Sequence, residues 1–118
     1  MNKNLSVLPN KLEKLVRNLC PDGVEYVKLG EVAQYCRGVT YNKNDETDSE
    51  EGLKILRANN IDLSTNRLNL EDVKKISSSV KVRGNQKIKA NDILISTASG
   101  SKEHVGKVAY VFNDMDYY

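Results

Sequence analysis

A chain of 118 residues, 39% apolar and 29% charged, is long enough for one small core and too short for two full domains. With one Phe and no Trp, that core must be aliphatic and thin, and the lack of an apolar run of about 18 residues excludes a membrane-spanning helix. The net charge of +2 says little in sum, but six Lys and Arg lie between Lys81 and Lys107 against Asp92 and Glu103, whereas Asp45 to Glu51 packs five carboxylates into seven positions. The first stretch has the electrostatic footprint of a nucleic-acid contact; the second would repel a phosphate backbone and is expected to face away from it.

Met1 to Asn10 has Lys3 but neither the apolar stretch nor the small-residue cleavage site of a secretory leader, so a cytoplasmic location is expected. Cys20, Cys36 and the solitary His104 are too few ligands for a structural zinc site. In a cytosolic chain the two cysteines read as ordinary buried or half-buried thiols.

Leu5, Leu8, Leu12, Leu15 and Leu19 are spaced three, four, three, four, as in the seam of a coiled coil, and Val16 widens the stripe. Pro9 fits only a first helical turn, so the helix is predicted from about Pro9 to Leu19, and Cys20-Pro21-Asp22-Gly23 ends it. Two heptads are too few to stand alone. The stripe therefore either packs on its own domain or pairs with another long helix.

Val24 to Leu29 alternates like a strand, and Leu29 to Ala33 reads as a short helix or turn. Next, Arg37, Thr40 and Tyr41 flank Gly38: a guanidinium able to fork onto a guanine edge, a hydroxyl and an aromatic ring, beside a residue that also serves a plain turn. Asn42 to Gly52 is a polar, acidic loop expected to be mobile. Leu53 to Ala58 is a predicted strand with Leu53, Ile55 and Leu56 buried. It runs into Arg57-Ala58-Asn59-Asn60, where each Asn can close an Asx-turn or read adenine, and at least one is expected to serve the turn. Glu71 to Lys75 is predicted to start a short helix, and Val80 to Arg83 to be a short strand or helix end.

The stretch that organises the chain is Lys87 to Val111. A turn at Ala90-Asn91-Asp92 leads into a strand at Ile93-Leu94-Ile95, and a second strand runs from Val105 to Val111. The loop between them carries Ser99, Ser101, Lys102 and His104, with Lys107 just beyond. Such a loop offers backbone N–H groups, hydroxyls and positive charge to phosphates and base edges. The chain ends on Tyr117 and Tyr118, which reads as an interrupted domain.

Catalytic readings are weak. Ser101 and His104 crowd one loop with no orienting carboxylate except Glu103 between them. Asp72-Val73-Lys74, with Asp62 upstream, only faintly imitates a metal-dependent nuclease. No P-loop spacing and no methyl-donor motif is present. The residues describe a binding module without metal or cofactor.

Several blocks together resemble a known family. Leu12 to Tyr26 followed by Lys28-Leu29-Gly30-Glu31-Val32, then Arg37-Gly38-Val39-Thr40, then Leu56-Arg57-Ala58-Asn59-Asn60-Ile61, then Asn91 to Ser96 through Gly100-Ser101 to Val105-Gly106-Lys107-Val108-Ala109, resemble the specificity subunit of type I restriction-modification enzymes. The resemblance implies an α/β (α+β) fold: a spacer helix remnant over residues 1–22, then a mostly β target recognition domain over 23–118, incomplete at its C-terminus. It implies a non-catalytic subunit that reads one half of a split target in double-stranded DNA. The modification (methyltransferase) and restriction (translocase and nuclease) subunits would be its partners. Carried over by position, Arg37, Thr40, Tyr41, Arg57, Asn59, Asn60, Ser99, Ser101, Lys102, His104 and Lys107 face DNA, and Leu5, Leu8, Leu12, Leu15 and Leu19 form the partner helix. The rival reading is a truncated subunit that contacts the modification subunit without reading DNA itself.

Overall fold

The computed structural model describes residues 10–118, so Leu5 and Leu8 lie outside the described residues. The chain divides into two compact units, residues 1–35 and 36–118.

In the first unit, α1 (Lys11–Leu19) begins where Asn10 caps it, its side-chain oxygen accepting the Glu13 N–H at 2.9 Å. Glu13 and Arg17, one helical turn apart, form an ion pair. The helix stops at Cys20, whose N–H donates to Val16, and the chain reverses at Gly23, with φ at +89°. The apolar stripe on α1 stays in solvent: Leu12, Leu15 and Leu19 are 66%, 53% and 76% exposed. Residues 24–28 alternate as predicted but pair with no strand, because an alternating pattern needs a ladder partner to become one. The short α2 (Leu29–Val32) follows.

The second unit is built from two antiparallel strand pairs. β1 (Leu53–Ile55) pairs with β2 (Lys74–Ile76), with Leu53 opposite Ile76 and Ile55 opposite Lys74. β3 (Ile93–Ile95) pairs with β4 (Val108–Tyr110), with Ile93 opposite Tyr110 and Ile95 opposite Val108. The far edge of β1 is met by Tyr118, which donates to Lys54 and accepts from Leu56, both at 2.8 Å, in the manner of a parallel neighbour. The buried apolar side chains are Ile55, Ile61, Ile76, Ile88, Ala109 and Val111. They come from strands and from the segments that join them, and all are aliphatic.

Helix and paired strands make this the mixed α/β architecture expected, but three local expectations fail. Glu71 to Lys75 forms no helix: the Asp72 carbonyl is taken by the Asn60 side chain, and Lys74–Ile76 is recruited by β1. Tertiary pairing of β-branched Ile76 outweighs the weak helical preference of the segment. Val80 to Arg83, expected as a short strand or helix end, is irregular and leads into a 3-10 turn at Gly84–Gln86.

The third failure is the acidic loop, which is tied down rather than loose. Thr47 donates to the Lys75 carbonyl at 3.1 Å and Ser77 to the Asp45 carbonyl at 2.7 Å, so residues 45–47 flank β2 on the side away from β1. Its carboxylates meet the lysines of β2, Glu46 with Lys74 at 2.8 Å and Glu50 with Lys75 at 3.4 Å. The loop folds back this tightly because residue 52 is glycine: a Cβ there would lie 2.9 Å from the Thr47 methyl and 3.1 Å from the Lys75 Cβ.

Candidate nucleic-acid interface

Three short polar segments carry the candidate residues, and each is held by a different device. The first is Arg37 to Tyr41. Its backbone is fixed by Gln86, whose Nε2 donates to the carbonyls of Arg37 at 3.1 Å and Gly38 at 3.2 Å. Arg37 and Thr40 are exposed and Tyr41 is half-buried.

The second is the 3-10 turn after β1, Ala58–Asn60. Asn60 is 2% exposed, and its side-chain amide is fully engaged. Oδ1 accepts the Arg57 N–H at 2.9 Å, and Nδ2 donates to the carbonyls of Asn69 at 3.0 Å and Asp72 at 2.9 Å. The sequence left Asn60 open as a base reader, but its amide is spent inside the fold; Asn59, exposed beside it, is the Asn left for a partner. Arg57 is half-buried and bound to Asp72 at 3.2 Å, so the Asp72-Val73-Lys74 triplet has its two charged ends in separate ion pairs.

The third is the loop of the β3–β4 hairpin. Ser96 both accepts from Gly106 (2.7 Å) and donates to the Lys107 carbonyl (2.9 Å), so two residues on one strand oppose one on the other: a bulge with glycine in its first position. Gly106 has φ of +80° and sits third in the turn closed by the Lys107 N–H on the His104 carbonyl. Within the loop the Ser101 N–H is caught by the Ser99 hydroxyl at 3.1 Å and the His104 N–H by the Ser101 carbonyl at 3.2 Å. Ser99, Ser101 and His104 are half-buried, whereas Lys102 and Lys107 project into solvent.

A Cβ on Gly106 would meet nothing within 4 Å, so only backbone strain resists replacement. Gly106→Ala is expected to cost about 1–2 kcal/mol, the penalty of a left-handed conformation for an L-residue. Thermal unfolding checks it, with a fall in Tm of about 4–8 °C per kcal/mol.

The cations divide by whether the fold uses them. Arg37, Lys81, Arg83, Lys89, Lys102 and Lys107 are exposed and have no carboxylate partner among the described residues. Lys87, in the same basic stretch, is taken by Asp116 at 2.9 Å. The hydrogen bond and the opposite charge hold the Lys87 ammonium above the ordinary lysine value and the Asp116 carboxyl below the ordinary aspartate value. Similarly, the hydrogen bond to Glu46 raises Lys74. Both cysteines are free; Cys20 is half-buried as expected, but Cys36 is exposed.

No hydrogen bond or ion pair among the described residues joins the three segments directly to one another. The second and third are linked one step removed. Asn66 donates from Nδ2 to the Val108 carbonyl at 3.1 Å and so ties the loop after the Asn60 turn to the outer edge of β4. That loop is organised by Asp62, whose carboxylate accepts from the backbone and hydroxyl of Ser64 and is thereby held below the ordinary aspartate value. Sequence reasoning missed both Gln86 and Asn66, because an amide that bridges distant carbonyls leaves no local pattern.

A family model described as the type I restriction modification DNA specificity domain matches residues 21–118. The chain belongs to this family. All three segments lie within the match, and α1 precedes it. Among similar proteins, the type I restriction enzyme StySPI specificity subunit of Salmonella potsdam is 34% identical over 96 residues, 80% of this chain and 20% of that protein. The type I restriction enzyme EcoKI specificity subunit of Escherichia coli K12 is 34% identical over 92 residues, 76% of this chain and 19% of its own length. The specificity domain described here thus spans about a fifth of the length of these relatives. No solved structure matches it significantly.

Proposed function

We propose that this chain is a DNA-reading part of a type I restriction-modification specificity subunit, contacting one half of a split duplex target. The observation that carries the reading is the family match over residues 21–118, which takes in every exposed unpaired cation of the second unit. In this reading it performs no chemistry. It supplies the address, and the modification and restriction subunits supply methyl transfer and cleavage. No helix among the described residues is long and apolar enough to cross a membrane, and the protein is assigned to the cytoplasm, where its DNA is.

The mechanism is mixed readout. Arg83, Lys89, Lys102 and Lys107 attract phosphates, releasing counterions, while Arg37, Tyr41, Asn59, Ser101 and His104 meet base edges and sugars. Thr40 and Ser99 add hydroxyls at the rims, and Arg57, anchored by Asp72, presents what remains of its guanidinium. Asn60 acts from behind by holding the turn that displays Asn59. The acidic loop is neutralised in part by the lysines of β2 and is assigned to the side away from DNA. The exposed leucines of α1, Leu12, Leu15 and Leu19, with Leu5 and Leu8 continuing the spacing, are the surface through which a helix of the modification subunit or of another specificity segment would pair.

The test is binding of the 118-residue chain, alone and with the modification subunit, to duplexes between 50 and 200 mM salt. A logarithmic affinity falling linearly with logarithmic salt concentration is expected, and Lys102→Ala should lower the slope by about one on every sequence. If Arg37 forks onto a base, Arg37→Ala should cost roughly 1–3 kcal/mol on the preferred sequence and relax preference at one position. Co-purification with the modification subunit and no affinity for any duplex would establish the interaction-only reading instead.

A further inference from the structure

Gln86 joins the 3-10 turn that Arg83 opens to the irregular segment that carries Arg37. It closes its own turn with Oε1, which accepts the Arg83 N–H at 2.8 Å. With Nε2 it donates to two successive carbonyls of a segment almost fifty residues earlier, Arg37 at 3.1 Å and Gly38 at 3.2 Å. A single planar amide therefore fixes the backbone of Arg37 to the backbone of Arg83. Both arginines are exposed, and neither has a carboxylate partner among the described residues. By contrast Arg57, Lys74, Lys75 and Lys87, all in the same unit, are each bound to an acid. Gly84, Asn85 and Gly38 beside the two arginines are also exposed.

Two exposed guanidiniums carried on backbone segments joined by one amide are placed to reach toward the same anion, which would offset the repulsion of bringing two like charges together. Guanidinium forks match phosphate oxygens in geometry as well as charge. Mobile segments would lose conformational entropy on gripping an anion, whereas segments already joined by an amide lose less. We propose that Arg37 and Arg83 form one phosphate clamp on the DNA backbone, with Gln86 as the positioning residue that couples them. The clamp rests on the DNA-reading assignment above and revises one role in it: Arg37 moves from the base edges to a register-setting backbone contact, and base reading passes to its neighbours Thr40 and Tyr41.

Because phosphate contacts carry no sequence, the experiment needs no knowledge of the target. Affinity of the full chain for a mixed-sequence duplex is measured at low salt for Arg37→Ala, Arg83→Ala and their combination, each in the unaltered chain and in Gln86→Met, which keeps side-chain length but removes donor and acceptor. In the unaltered chain the two arginine losses are expected to be coupled, the double variant losing severalfold less than the product of the single losses. In the Gln86→Met background the losses become multiplicative. Each arginine removed should lower the salt slope by about one. Backbone amide shifts of Gly38 and Val39 should move in Gln86→Met while those of β1 stay, which confirms folding and shows the link without DNA. Multiplicative losses in both backgrounds, or a loss confined to one DNA sequence, overturn the clamp while leaving the DNA reading in place. A chain that binds no duplex overturns the reading and takes the clamp with it, even if the amide shifts move.

Discussion

Asn60→Asp is expected to destabilise the second unit by about 3 kcal/mol at neutral pH, more than removing any exposed candidate residue. The argument is one of unmatched polar groups. Asn60 is 2% exposed and donates from Nδ2 to the carbonyls of Asn69 and Asp72 while accepting from the Arg57 N–H. An aspartate keeps the acceptor but turns a second oxygen toward two carbonyl oxygens. Each buried group left without a partner costs roughly 1–3 kcal/mol, and a charged one more. Burial and the facing carbonyls would raise the folded-state pKa of the new carboxyl above its unfolded value of about 3.9. The folded state then binds more protons than the unfolded state between those two values, so stability falls as pH rises through that window and the deficit is greatest above it. Urea midpoints measured from pH 4 to pH 8 check this. A deficit that is constant with pH would mean that the carboxylate escapes to solvent. Asn59→Ala, its exposed neighbour, serves as the control and should shift stability by less than about 0.5 kcal/mol.

The contrast between these neighbours shows what could be read from the chain alone. Asn59-Asn60 announced a turn, and a turn it is, because a side-chain oxygen three residues on catches the N–H that opens it. The same device recurs with Asp45 on Asn42, Gln86 on Arg83 and Asp92 on Lys89. That pattern is local and therefore legible. So are α1, with its leucine spacing, and the β3–β4 hairpin, where a polar loop with glycine at the bulge separates two apolar runs. β2 was not legible. Lys74-Lys75-Ile76 carries charge on two of its three positions, and it is a strand only because Leu53–Ile55 and residues 45–47 flank it. The acidic loop misled for the same reason: its carboxylates looked solvated until β2 placed lysines opposite them. For the candidate site, the chemistry of the exposed side chains could be read, but which cations the fold had already paired could not. Lys87 and Lys89 are two residues apart in one basic stretch, and only contact with Asp116 separates a structural lysine from a free one.

Ile76 bears the weight of that arrangement, and Ile76→Ala is expected to cost about 2–5 kcal/mol, the range for truncating a buried isoleucine. It is 0% exposed, the most enclosed side chain on β2, with Leu53 opposite it in the ladder and a backbone bridge to Glu46 on its other side. Among the described residues the remaining buried apolar set is Ile55, Ile61, Ile88, Ala109 and Val111, so few neighbours can collapse into the space left behind. A domain of this size has roughly 5–15 kcal/mol in total, and such a loss would leave a measurable unfolded population. Ile76→Val, which removes one methylene and keeps the branch at Cβ, should cost only about 0.5–1.5 kcal/mol. Denaturant midpoints for the pair, with unchanged m-values, test whether the effect scales with the volume removed. Equal losses for valine and alanine would instead place the cost in the strand pairing itself. Because β2 also anchors Glu46 and Glu50 through Lys74 and Lys75, the alanine variant should release the acidic loop before the unit unfolds. Amide exchange at Thr47 and Ser77, whose N–H groups bond to the Lys75 and Asp45 carbonyls, reports that release directly.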